Sequence, residues 1–194
     1  NQKTTPDEWI IIDDSSTDGT KNILRKYESE YDWIKIFRTN NQLPRKGGGK
    51  IVNLINEGLS KITVDNYSFL VKLDADIVLP KDYFAKISNA FHINQNLGIC
   101  GGFISSKNEE KNKSNIIKSH HVRGAIKSYR KKCFEDIGGL VEDYGWDGLD
   151  EYKAMYFNWD VEVLPIEVIQ QRPTTGWTKS NNLQYKLGKS YFRN

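Results

Sequence analysis

Twice in this chain a short apolar run stops abruptly on aspartate. Trp9-Ile10-Ile11-Ile12 gives way to Asp13-Asp14-Ser15-Ser16-Thr17-Asp18-Gly19-Thr20, and the run from Tyr67 to Leu73 gives way to Asp74-Ala75-Asp76. Runs of this length, apolar and closed by turn residues, read as strands buried on both faces of a parallel sheet. The polar cluster after Ile12 supplies N-cap candidates for a helix from about Asp18 to Tyr31, with Ile23, Leu24 and Tyr27 on its inner face. Ile34 to Arg38 alternates like a second strand. Arg45-Lys46-Gly47-Gly48-Gly49-Lys50 then reads as a flexible basic loop feeding a helix, with Ile51, Leu54, Ile55, Leu59 and Ile62 at helical spacing. A helix over Asp82 to His92 and a strand over Gly98 to Ile104 follow. Strand and helix in alternation predict an α/β fold whose central sheet is mostly parallel and flanked by helices. In such sheets ligands gather outside the carboxyl ends of the strands, where both acidic clusters sit.

The second half is less regular. Lys107 to Lys118 is polar throughout and reads as a surface loop, followed by a strand from Val122 to Tyr129 and a short helix stopped by Gly138-Gly139. Gly145-Trp146-Asp147-Gly148-Leu149-Asp150-Glu151 leads into a helix ending near Asn158, with Asp160–Leu164 and Ile166–Gln171 as closing strands. At 194 residues with 38% hydrophobic content the chain suits one domain with its own core. Its net charge of +3, without a basic stripe interleaved with aromatics, argues against a nucleic-acid partner. Two cysteines, Cys100 and Cys133, and three histidines are a poor supply for zinc, so any metal here must be held by oxygen. The cysteines read as small buried hydrophobes, and His120-His121 as a solvent-exposed pair.

Asp74 and Asp76, alternate residues at a strand end, can face one space where a hard cation such as Mg²⁺ or Mn²⁺ relieves their repulsion and leaves positions open for substrate phosphates. The competing structural explanation is a turn cap before Pro80. Asp13 and Asp14 can likewise be turn and helix-cap residues. Two acidic strand ends in one sheet tip the balance toward a nucleotide site, with one end accepting hydrogen bonds from base or ribose and the other holding metal under the phosphates. Lys46 and Lys50, around three glycines at an electropositive helix start, supply the basic side. The glycines are not a P-loop, because Ile51 stands where Ser or Thr would follow the lysine.

Glu8–Thr20, Val71–Pro80 and Gly145–Pro165, in this order and spacing, resemble the inverting glycosyltransferases of family 2 with the GT-A fold, a Rossmann-like sheet. Arg123-Gly124-Ala125, Tyr129-Arg130 and Gly138-Gly139-Leu140 are similar to the same family's approach to its catalytic segment. The resemblance implies one GT-A domain over 1–194, with a nucleotide-binding half of about 1–105 and an acceptor and catalytic half of about 106–194. It also implies that the family's first strand is missing ahead of Asn1. Asp13 and Asp14 would contact the nucleotide, and Asp74 and Asp76 would match the family's Asp-x-Asp, with Asp74 touching ribose or metal and Asp76 the metal. Counting back from Leu164-Pro165 places the general base at Asp147, with Trp146 replacing the usual glutamate and Asp150 as second choice.

Gln170-Gln171 stand where many relatives carry a histidine, and Arg172 is a candidate phosphate contact. Trp146, beside the proposed base, is the best candidate among Trp146, Trp159 and Trp177 for a sugar-stacking platform, while Trp9 and Trp159 read as packing residues. The implied activity is Mg²⁺- or Mn²⁺-dependent inverting transfer from a nucleotide sugar to a hydroxyl of a glycan or lipid-linked acceptor. The implied location is cytoplasmic, with peripheral association at the inner face of the membrane. The alternatives are a non-catalytic nucleotide-sugar-binding domain and a nucleotidyltransferase.

Overall fold

The structure is a computed structural model that describes residues 2–39, 47–105 and 121–172. Its elements in chain order are β1 (Trp9–Asp13), α1 (Thr20–Glu30), β2 (Ile34–Arg38), α2 (Gly47–Leu59), β3 (Phe69–Leu73) and β4 (Ile77–Val78). Then follow α3 (Tyr83–Ile93), β5 (Leu97–Ser105), β6 (Ile126–Arg130), α4 (Lys131–Asp136), α5 (Trp146–Tyr156) and β7 (Asp160–Gln170).

β1 and β2 pair in parallel as a two-stranded sheet, and the remaining strands form a five-stranded sheet in the order β3-β6-β5-β7-β4. β5 and β7 are parallel, whereas β6 runs antiparallel to both β3 and β5, and β4 antiparallel to β7. The fold is therefore α/β as expected, but its sheets are mixed rather than mostly parallel. β3, β5 and β7 still run one way; β6 enters between them from the other end, with Ser128 opposite both Val71 and Cys100. The alternation of strands and helices along the sequence locates the strands but not the direction in which they pair, which contacts between distant segments decide. The acidic ends of β1 and β3 consequently close two strands in different sheets.

Successive residues of β5 serve opposite faces. Ile99 joins a cluster with Val52, Val122, Tyr129, Cys133, Trp146 and Val163, while Cys100 joins Tyr83, Ile87, Phe91, Ile126 and Val168. Both cysteines are free and buried, and burial raises the Cys133 thiol to about 12, which suits the inert role expected of them. Asp160–Leu164 and Ile166–Gln171 merge into one strand. The β5 register jumps from Leu164 to Glu167 across Pro165, which has no N–H for the ladder.

Two expectations fail on α1 and α2. Ile23 is 59% exposed and Tyr27 is also exposed, leaving only Leu24 of the expected inner face half-buried, because α1 covers a two-stranded sheet too small to bury a full helix face. Gly47 to Lys50 form the first turn of α2 rather than a loop, and its fully buried side chain is Val52, not Ile51. Trp9 is exposed as well and stacks on Trp33 at 6.2 Å. Lys46, His120 and Trp177, and the Lys107–Lys118 segment, lie outside the described residues.

Candidate active site

The β1 end is held by its own turn. Asp13 is buried; its Oδ1 accepts the Ser16 amide at 2.9 Å and its Oδ2 lies 3.8 Å from Arg38 Nε. Those contacts engage both Asp13 oxygens in the turn and with β2. Asp14 points to the other side, where its Oδ2 lies 2.5 Å from Lys50 Nζ on the first turn of α2 and its Oδ1 accepts Thr39 Oγ1 at 3.1 Å. The acidic strand end and the basic helix start are thus brought together, as the sequence suggests. The Asp18 carboxyl is lowered chiefly by hydrogen bonds from Thr20, with a smaller electrostatic effect of Arg172, which follows β7.

The β3 end is a turn rather than a continuing strand, since the Ile77 amide donates to Asp74 O at 3.3 Å. Asp74 Oδ1 pairs with Lys72 Nζ, and Asp76 Oδ2 accepts Gln170 Nε2 at 3.2 Å. Gln170 therefore reaches the aspartate pair from β7, where the family pattern places a histidine. Each aspartate keeps one carboxylate oxygen uncommitted among the described residues, an oxygen donor set suited to Mg²⁺ or Mn²⁺. No group of three or more ligating side chains occurs among the described residues, so such a cation would rely on this pair, water and substrate phosphate.

α5 presents its two candidate aspartates very differently. Asp150 is 1% exposed and saturated: Lys127 Nζ lies 2.8 and 3.0 Å from its oxygens, and Tyr129 OH donates at 2.5 Å. Burial raises the Asp150 carboxyl against the opposing pull of Lys127 and Tyr129. Among the described residues both of its oxygens are engaged by Lys127 and Tyr129, which leaves no open face for a substrate proton. Asp147 is half-buried, and its carboxylate has no hydrogen-bond partner among the described residues. A Cβ on Gly124 would lie 2.9 Å from Asp147 Oδ2, and the Gly124 carbonyl accepts Lys72 Nζ at 2.6 Å. Gly124 and Lys72 thereby form one short wall between Asp147 and Asp74.

Trp146 is not an open platform. It is 5% exposed, packs in the core with Val52 and Val163, and has the Lys72 and Lys127 ammoniums 5.6 and 6.0 Å from its ring centroid. His121 is exposed, as expected, and its Nδ1 lies 3.0 Å from Glu151 Oε2, a hydrogen bond that raises its pKa. Trp159 packs as expected and donates through Nε1 to Asp136 at 3.1 Å. Sequence reasoning missed Lys72, Gly124 and Lys127. For the lysines the available signal was Lys72 within the otherwise apolar β3 and Lys127 between Ile126 and Ser128 in β6.

Residues 1–158 match the family model for Glycosyl transferase family 2. The chain belongs to this family. An uncharacterized glycosyltransferase of Mycoplasma genitalium is 27% identical over 147 residues, covering 69% of this chain and 46% of the relative. The family 2 chain thus spans under half the length of that relative. Among solved structures, the mannosyltransferase PcManGT from Pyrobaculum calidifontis, in complex with GDP-Man and Mn²⁺, superposes with a TM-score of 0.68 at 17% identity, over 91% of this chain and 51% of that one. GalNAc-T7 with UDP, GalNAc and Mn²⁺ gives 0.67 at 15% identity, over 97% and 43%. At these identities the likeness establishes the GT-A fold alone. No helix among the described residues of this family 2 chain is long and apolar enough to cross a membrane.

Proposed function

We propose that this glycosyltransferase carries out a metal-dependent inverting transfer from a nucleotide sugar to a hydroxyl of a glycan or lipid-linked acceptor, with Asp147 as general base. The observation that carries this reading is the uncommitted Asp147 carboxylate, separated from Asp74 only by the Gly124 and Lys72 wall. Asp14 and Lys50 bind the nucleotide from the β1 side; Asp74 approaches it from the β3 side, and Asp76 with Asp74 holds the cation. Asp147 accepts the proton of the acceptor hydroxyl as that oxygen attacks the anomeric carbon and the nucleoside diphosphate departs from the opposite face. A single displacement of this kind inverts the configuration. Lys50 and Arg172 place positive charge on the side where the diphosphate leaves. A divalent cation at the aspartate pair would neutralise charge building on the diphosphate. One catalytic carboxylate then suffices, in contrast to the two of glycoside hydrolysis. The GDP-Man, UDP and Mn²⁺ complexes of the solved neighbours support a nucleotide-sugar donor and a metal here.

The test is release of nucleoside diphosphate from UDP-, GDP- and dTDP-sugars, with glycan and lipid-linked acceptors, in Mn²⁺ and again after chelation. Release that depends on acceptor and metal is expected. Nucleotide-sugar binding without turnover across the panel would overturn the reading in favour of a binding domain.

A further inference from the structure

Lys127 sits inside β6, fully buried, directly opposite Lys72 of β3 in the strand register. Like charges facing each other across a strand pair are unfavourable, and a buried ammonium is costly unless every proton is taken. Lys72 is satisfied by Asp74 and the Gly124 carbonyl. Lys127 has three protons and three acceptor groups, all on α5: the main-chain carbonyl of Asp147, the Asp150 carboxylate, and Glu151 Oε1 at 2.9 Å. Glu151 Oε1 also accepts the Val122 amide at 2.8 Å, so the same cluster ties the chain entering β6 to α5.

This anchoring answers a weakness at the start of α5. The helix begins on Gly145 in the left-handed region, φ 74°, and no side-chain cap holds its first turn. A cation at a helix N-terminus opposes the helix dipole, so the ammonium is there because of its acceptors and not because the helix attracts it. Contacts to residues 147, 150 and 151 fix both the rotation and the height of the first turn, which an apolar side chain of the same volume does not do.

We propose that Lys127 is a positioning residue: through the Asp147 carbonyl, Asp150 and Glu151 it holds the Asp147 carboxylate in line with the Asp74 site. This rests on the reading of Asp147 as the base. The test compares wild type with Lys127→Met and with Lys127→Met/Asp150→Asn, the double change removing the Asp150 charge that the single one strands, while Glu151 keeps His121 and the Val122 amide as partners. Hydrogen exchange is measured over the first turn of α5 and over α3 as internal reference, alongside steady-state transfer and nucleoside diphosphate binding. In the double variant, exchange in the α5 turn and the loss of kcat should each reach about tenfold, with α3 exchange, donor KM and diphosphate binding within about twofold of wild type. Unchanged exchange at the α5 turn, unchanged kcat, or a loss confined to donor KM overturns the proposal. A wild type that transfers nothing across the donor panel, while the variant still loosens the α5 turn alone, sinks the base assignment and leaves the anchoring role standing.

Discussion

Asp147 and Asp150 lie within one turn of the same helix, and burial gives them different work. Asp147→Asn should lower transfer by about 10²- to 10⁴-fold, the usual contribution of a positioned base, while metal-dependent nucleotide binding stays near wild type in calorimetry. Equal loss of both would remove Asp147 from the base role. Asp150→Asn acts on stability instead. It breaks a buried pair with Lys127 and should cost about 3–5 kcal/mol in chemical denaturation. Gly124→Ala tests the wall between the two carboxylates: its Cβ would meet Asp147 Oδ2 and Trp146 Cζ2, each at 2.9 Å, so one of them must move. A fall in kcat of about tenfold is expected together with a lower unfolding midpoint, since the Trp146 contact overpacks the core, and unchanged kcat would show that the wall does not set the base. The motif spacing points to Asp147 from sequence. Spacing does not reveal that Asp150 is saturated, because its partners Lys127 and Tyr129 come from another strand. It does not reveal that Trp146 is core either, because the lysines beneath it belong to β3 and β6.

At the scale of elements, apolar runs bounded by turn residues locate β1, β3 and β5 well, since a strand's period and its stop signals are local. Pairing direction is not local: the reversed entry of β6 follows from which strand edge was open, and this made the sheet mixed. The exposed face of α1 has the same origin, for Ile23 and Tyr27 keep helical spacing whether or not a second layer covers them. What binds β1, β2 and the chain after α2 together is Glu8. Its carboxylate lies 2.7 Å from Lys35 Nζ and accepts the Thr63 amide and hydroxyl at 2.9 and 2.8 Å. Burial pushes Glu8 up, but Lys35 and Thr63 outweigh it and lower the carboxyl to about 2. A carboxyl lowered in the folded state contributes stability above its unfolded pKa of about 4.5 and loses it as pH falls toward 2. Because Lys35 is well exposed and its pair is screened, Glu8→Gln should cost about 1 kcal/mol at neutral pH, with the difference from wild type closing between pH 4.5 and 2. A difference that stays constant over that window would show that the ion pair is not its source.

Across the whole molecule, the two sheets are joined through α2 and not through a shared ladder. Among the described residues, the outer edges of β1 and β3 carry no strand partner, whereas β5 is paired on both sides. α2 makes the connection with two of its faces: a Cβ on Gly58 would lie 3.5 Å from Ile12 on β1, and Val52 is buried with Ile99 and Tyr129 of the larger sheet. Among the described residues the β1–α1–β2 unit therefore has a ladder of one strand pair, a helix with no buried residue, and α2 as its packed joint. Such a unit should open at lower free energy than the β5–β6–β7 body. Hydrogen exchange should show β1, α1 and β2 less protected than β5 and β7. Val52→Ala, a cavity at the joint costing about 2 kcal/mol, should widen that gap rather than lower protection evenly. Uniform protection in wild type, or an even loss in the variant, would mean that one cooperative unit spans both sheets. The asymmetry bears on donor binding, because Asp14 lies in the weaker unit and Asp74 in the stronger one. A ligand that must touch both pays part of its binding free energy to order the weaker side, so a nucleoside diphosphate with Mn²⁺ should slow exchange in β1–α1–β2 far more than in β5. Asp14→Ala should abolish that selective slowing, and slowing that survives the substitution would show that the nucleotide reaches the unit through other residues.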